Sequence, residues 1–73
     1  MDPNTALALM RSAIAQGREY GRDAARWEDS GDRDRATECL ASADGYAVEA
    51  IEYAEALDAW LTRGGALPDV WSR

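Results

Sequence analysis

Two seven-residue repeats of small and aliphatic residues constrain this chain more than any other feature. In the second half they recur without a break at alternating steps of four and three: Ala36, Leu40, Ala43, Ala47, Ala50, Ala54, Leu57 and Leu61. The first half has the same spacing in Leu7, Met10, Ile14, Gly17, Gly21 and Ala24. Such spacing is that of the a and d positions of a coiled coil. It predicts two helices that pack along these two lines.

Turn-forming and capping residues set the ends of both helices. Asp2 is suited to cap a helix that has Pro3 in its first turn, and Asp32 is suited to cap a second helix that Gly64 and Gly65 end. We predict helix one over about 3–29, a turn over about 30–32, helix two over about 33–63 and an apolar tail over 64–73. At 73 residues the chain has room for a single domain, 1–73.

The predicted fold class is all-α: an antiparallel two-helix hairpin, built as an Ala/Gly-rich coiled coil with a short apolar C-terminal tail. A short loop between two rods favours this antiparallel arrangement. The register that matches the two lines pairs Leu7 with Leu57, Met10 with Ala54, Ile14 with Ala50, Gly17 with Ala47, Gly21 with Ala43 and Ala24 with Leu40. Because most positions of the middle layers are Gly or Ala, the helix axes are expected to approach closely.

The aromatic residues form a second stripe, which we predict to flank the seam. Tyr20 and Trp27 in helix one, and Tyr46, Tyr53 and Trp60 in helix two, recur every seven residues, and Trp71 lies in the tail. These six residues are the candidate interaction residues, because a lone hairpin has no second layer to cover them. Three coverings are open: the tail folded over Trp60, a second copy that completes a four-helix bundle, or a different protein. A homodimer is the expected form.

The residue inventory argues against an enzyme. Histidine is absent and Cys39 is the single cysteine, so a catalytic triad with an imidazole base and a His/Cys zinc site are both excluded. Cys39 is interpreted as a small packing residue opposite Trp27. Glu49, Glu52 and Glu55 are interpreted as a solvated face. No cofactor and no metal are expected.

Charge bears on the partners. Eight basic residues, all of them Arg, against fourteen acidic ones give a net charge of −6, which disfavours nucleic acid as a partner. Helix one nevertheless has an Arg face, namely Arg11, Arg18, Arg22 and Arg26, which keeps a DNA-associated regulator open as an alternative. Surface pairs are expected between Arg18 and Asp44 and between Asn4 and Asp58. We expect no membrane span and no signal segment, and we expect a cytoplasmic location.

The two ends of the chain carry a resemblance. The opening MDPN of residues 1–4 and the closing LDAWLTRGGALPDVW of residues 57–71 resemble small uncharacterised proteins encoded by actinobacterial, mycobacteriophage-type phages. The resemblance implies a protein made in the infected host cell, in whose cytoplasm it would act, and a tail that packs as a unit near the start of helix one. It implies no activity, ligand or catalytic residue. The function favoured by the sequence is a small helical protein–protein interaction module that binds itself or a host protein.

Overall fold

The computed structural model describes residues 1–72, which form two long helices and one short 3-10 helix. Helix α1 spans Pro3–Asp29 and helix α2 spans Arg33–Thr62. The 3-10 helix spans Asp69–Trp71 in the tail. The predicted all-α hairpin is confirmed, because α1 and α2 pack against each other along their lengths. Arg73, the last residue of the predicted tail, lies outside the described residues.

Side-chain caps begin both helices, and glycines end them. The Asp2 carboxylate accepts a hydrogen bond from the backbone N–H of Thr5, and the Asp32 carboxylate accepts one from that of Arg35. Each helix ends in the same pair of reversed backbone hydrogen bonds, with a glycine at positive φ just after the cap, at 88° for Gly31 and 83° for Gly64. Both ends are therefore Schellman motifs, in which a glycine adopts the left-handed conformation at little steric cost. Asp32 both completes the first motif and caps α2, so the turn is as short as the sequence predicts.

The hairpin is one layer of helices thick. Its Cα atoms extend over 50 × 21 × 13 Å, and a helix with its side chains is about 10–12 Å across. Each helix can therefore bury one stripe against the other, and both broad faces of the hairpin stay open to whatever surrounds it.

The stripe that is buried differs from the predicted seam. The interhelical seam contains Pro3, Ala6, Leu7, Met10, Ala13, Gly17, Tyr20, Ala24 and Trp27 from α1, and Ala36, Cys39, Ala43, Tyr46, Ala50, Tyr53, Leu57 and Trp60 from α2. Much of each predicted line is correct, namely Leu7, Met10, Gly17 and Ala24 in α1 and Ala36, Ala43, Ala50 and Leu57 in α2. Four residues of the predicted lines are on the surface instead: Ile14 is 38% exposed, Leu40 is 51% exposed, and Ala47 and Ala54 are exposed as well. Both helices are rotated so that the aromatic lines enter the seam.

The helices come into close contact at Gly17. A Cβ atom there would lie 3.5 Å from the Cβ of Tyr46 and 3.6 Å from the carbonyl oxygen of Ala43. Gly17 thus faces Tyr46 rather than its predicted partner Ala47, whereas Leu7 packs with its predicted partner Leu57. The expectation that Gly21 also lies against a facing backbone is wrong, because a Cβ there would have no neighbour within 4 Å.

Residue size explains the rotation. A Tyr or Trp side chain buries about 150–250 Å² of surface, far more than an alanine does. With one seam available, rotation toward the rings removes more apolar area from water than an Ala and Leu seam would. The rings also contact each other: Tyr20 and Tyr46 stack with their centroids 5.7 Å apart and their planes 16° from parallel.

The tail packs as a unit against the open end of the hairpin. The Trp60 indole lies against Gly65, and its Nε1 donates a hydrogen bond to the carbonyl oxygen of Ala66 at 2.8 Å. The amide side chain of Asn4 accepts a hydrogen bond from the backbone N–H of Asp69 at 2.8 Å. Pro68 between these two anchors is fully buried. The tail therefore joins the end of α2 to the start of α1, and Asn4 bonds Asp69 rather than the predicted Asp58.

The seam geometry predicts opposite effects at two glycines of one helix. Gly17→Leu should lower the melting temperature, because overpacking at a filled position costs about 1–3 kcal/mol. Gly21→Ala should raise it by a few degrees, because its Cβ has open space and alanine is favoured over glycine in a helix by about 1 kcal/mol. Thermal unfolding followed by circular dichroism measures both. A loss of stability in Gly21→Ala would contradict the observed seam.

The tail anchor predicts a large effect for a small change. A Cβ at Gly65 would overlap the indole ring of Trp60, so Gly65→Ala should displace the ring, break its hydrogen bond to Ala66 and lower the melting temperature. Gly45→Ala is the matched control, since a Cβ at Gly45 has no neighbour within 4 Å. Near-ultraviolet circular dichroism and tryptophan emission report on the ring environment. Equal spectra and equal melts for the two variants would refute the anchor.

Candidate protein-interaction surface

An apolar groove lies between the helices on one broad face of the hairpin. It has a volume of about 430 Å³ and is lined by Ala13, Ile14, Gly17, Arg18, Ala43, Asp44, Ala47, Ala50 and Ile51. Its floor is the small-residue part of the seam, and its rim is formed by Ile14 from α1 and Ile51 from α2. The groove exists because Gly and Ala leave the space that larger seam residues would fill.

Large apolar side chains around this groove are open to water. Ile51 is 56% exposed, and Leu40, three turns earlier on the same stripe of α2, is 51% exposed. Together with Ile14, Ala47 and Ala54 they form the surface that we call the groove face. These residues include the half of the predicted seam that the rotation of the helices turned outward. An apolar surface of this kind, rimmed by charged residues, is typical of an interaction site.

The tail covers one end of this face and leaves the rest open. Leu7 belongs to the same line of α1 as Ile14, yet Leu7 is 3% exposed and Ile14 is 38% exposed. Leu7 packs with Ala6 and Leu57 in the core, and Asp69 and Val70 of the tail line a cleft beside it. The chain therefore buries the first layer of this line between α2 and its own tail, while Ile14 in the next layer stays open.

Charged side chains border the groove on both sides. Arg18 lines it on the α1 side and Asp44 on the α2 side. The predicted pairing of these two residues is not seen among the described residues, whose ion pairs within 4.0 Å are Arg26 with Asp23 and Arg35 with Asp32. The groove thus lies between one basic side chain and one acidic side chain, with no ion pair spanning it in residues 1–72.

The six predicted interaction residues do not form one open stripe. Trp27, Tyr46, Tyr53 and Trp60 are half-buried in the seam, and Tyr20 is 36% exposed at its edge. Trp71 is 42% exposed in the tail, and the aromatic stack within residues 1–72 joins Tyr20 to Tyr46. The four half-buried rings therefore form part of the packed seam, and the aliphatic groove face is the more open apolar surface.

Contacts around the turn fix the last ring of α1. The guanidinium carbon of Arg35 lies 4.6 Å from the centroid of the Trp27 ring, a cation–π contact worth about 0.5–1 kcal/mol at an exposed site.

Cys39 is half-buried and free. Within residues 1–72 no cluster of Cys, Asp and Glu is placed to hold a metal ion. None of the helices in that range has the length and apolar character needed to cross a bilayer.

Ile51 is the residue that sequence reasoning missed. It lies outside both predicted stripes. The sequence signal for it is its residue type: Ile51 is a large apolar residue among Glu49, Glu52 and Glu55, on a stretch of α2 that is otherwise acidic. Large apolar residues that neither predicted stripe explains indicate a third surface.

Comparison with known proteins adds no relative. No protein-family model, no curated protein and no solved structure matches this chain.

Proposed function

We propose that this protein is a helical protein–protein interaction module whose binding site is the groove face. The observation that carries the proposal is the exposure of Ile14, Leu40 and Ile51 beside a groove that the chain itself leaves uncovered. A groove between two helices is a common receptor for an amphipathic helix, which places its apolar residues at helical spacing along the floor.

The chemistry of the groove face specifies its occupant. The floor requires aliphatic side chains, Arg18 favours an acidic residue on one side of the incoming helix, and Asp44 favours a basic residue on the other. The partner that fits is therefore a helical surface with an apolar stripe between one acidic and one basic border. Phage origin and action in the host cytoplasm stay predictions from the ends of the sequence, and they would place this partner in an actinobacterial cell.

The DNA-associated regulator is the second candidate. Its support is that Arg11, Arg18 and Arg22 are exposed and take no part in the ion pairs of residues 1–72. Against it stands the net charge of −6, because a nucleic acid repels an acidic chain. Nuclease treatment separates the two candidates in the experiment below.

A photo-cross-linking residue at position 47, on the groove face, tests the proposed function. In actinobacterial cells that produce the chain, it should give a covalent protein adduct that survives nuclease, while the same residue at position 19, on the far side of α1, should give none. Adducts of equal yield at both positions, or none at position 47, would contradict the proposal. An adduct that disappears with nuclease would favour the DNA-associated regulator.

Two matched variants test whether the groove face itself carries the binding. Ile51 and Val48 are both 56% exposed, but only Ile51 lines the groove. Ile51→Gln should reduce the adduct at position 47 at least tenfold, since burial of one such side chain is worth about 1.5–3 kcal/mol. Val48→Gln should leave both the adduct and the melting temperature unchanged, and Ile51→Gln should keep the helical circular dichroism spectrum of the unaltered chain.

A further inference from the structure

We propose that the occupant of the groove face is a second copy of this chain, placed by a twofold axis that runs parallel to the helices. The inference rests on the proposed function and names its partner. It follows from the charge on the two sides of the groove face, from the symmetry that this charge allows and from the area of the face.

The α1 side of the groove face is basic. Arg11, Arg18 and Arg22 are spaced seven and four residues apart, which places them on one stripe of the helix. All three are exposed, and Arg18 lines the groove. We call these three residues the basic wall. None of them takes part in the ion pairs of residues 1–72, so the wall is available to an acidic partner.

The α2 side of the same face is acidic. Asp44, Glu55 and Asp58 lie on the stripe that also contains Ile51, and all three are exposed. We call them the acidic wall. Like the basic wall, it takes no part in the ion pairs of residues 1–72. The groove face therefore has an apolar centre between the basic wall and the acidic wall. The occupant specified above has the same pattern, so a second copy of the chain fits it.

A twofold axis parallel to the helices brings walls of opposite charge together. When two copies meet face to face across a twofold axis parallel to the helices, α1 of each copy lies over α2 of the other. The basic wall of each copy then meets the acidic wall of the other. A twofold axis in the plane of the face but perpendicular to the helices would place like walls together instead, which costs free energy through repulsion of like charges. Charge complementarity therefore selects the first axis.

The height of the charges along the helices fits the same axis. Arg18 and Asp44 line one groove at the level where Gly17 approaches Ala43. A twofold axis parallel to the helices keeps each residue at its own height, so Arg18 of one copy comes opposite Asp44 of the other, twice per dimer. The four helices form an antiparallel bundle in which every α1 contacts an α2 on two sides.

The available area suits a stable dimer. The outline of the hairpin with its tail measures 50 × 21 Å, roughly 1,000 Å² in projection, and a stable interface takes about 800 Å² from each partner. An interface of that size therefore has to use most of the groove face. Ile14, Leu40 and Ile51 would each be covered by the partner's groove face, whereas Leu7 is already covered within the chain by Leu57 and the tail.

Charge-swapped chains test this arrangement directly. Arg18→Asp and Asp44→Arg should each weaken self-association about tenfold, because each replaces two attractive border pairs with two repulsive ones. Mixed together, the two variants should form predominantly mixed dimers, in which both intermolecular pairs are restored while the charges within each chain stay mismatched. Native mass spectrometry of the full chains counts the mixed and unmixed dimers.

The control pair carries the same change of charge away from the groove face. Arg26→Asp mixed with Glu19→Arg should give mixed dimers in the statistical proportion of one half. Statistical mixing of the Arg18 and Asp44 variants as well would overturn the proposed axis. The unaltered chain should have a solution mass of about 16 kDa, twice the 8.0 kDa of one copy. A mass of 8.0 kDa at all concentrations would overturn the second copy as occupant, and a groove adduct with another protein would then leave the proposed function standing.

Discussion

One constraint shapes the whole molecule: a single layer of two helices can bury only one stripe of each. Each helix has two candidate stripes: one consists of small and aliphatic residues, and the other contains the aromatic residues. Hydrophobic free energy grows with the apolar area removed from water, and the rings hold most of that area. The helices therefore turn Tyr46, Tyr53 and Trp60 inward, and the aliphatic residues Leu40 and Ile51 remain on the surface.

The small residues determine how close the two helices come. Gly17 lets the Cβ of Tyr46 and the backbone at Ala43 reach van der Waals distance, and the stacked rings of Tyr20 and Tyr46 lie beside this contact. The same lack of side-chain volume leaves the groove on the opposite side. The small residues of the seam thus produce both the close packing and the open groove. The tail, which is held by Asn4 and Trp60, covers the end of the groove next to Leu7.

Much of the fold could be predicted from the sequence, but the binding face could not. Helix ends are set locally by Asp2, Asp32 and the glycines that follow each helix, so their positions follow from short-range rules. Rotation about the helix axis is set by competition between whole stripes, and an unbroken heptad of alanine and leucine was the more regular pattern but the smaller in area. The rotation turns Leu40 outward and Tyr46 inward, and with them it changes the surface that a partner would contact.

An engineered disulfide between Gly17 and residue 46 tests this seam most directly. The Cβ positions of the two residues are 3.5 Å apart, within the range of about 3.5–4.5 Å that a disulfide needs. In a chain with Cys39→Ser, the pair Gly17→Cys and Tyr46→Cys should oxidise within one chain and raise the melting temperature, while Gly17→Cys with Ala47→Cys should remain reduced. Preferential oxidation of the second pair would show that the alanine line, and not the ring line, faces the opposite helix.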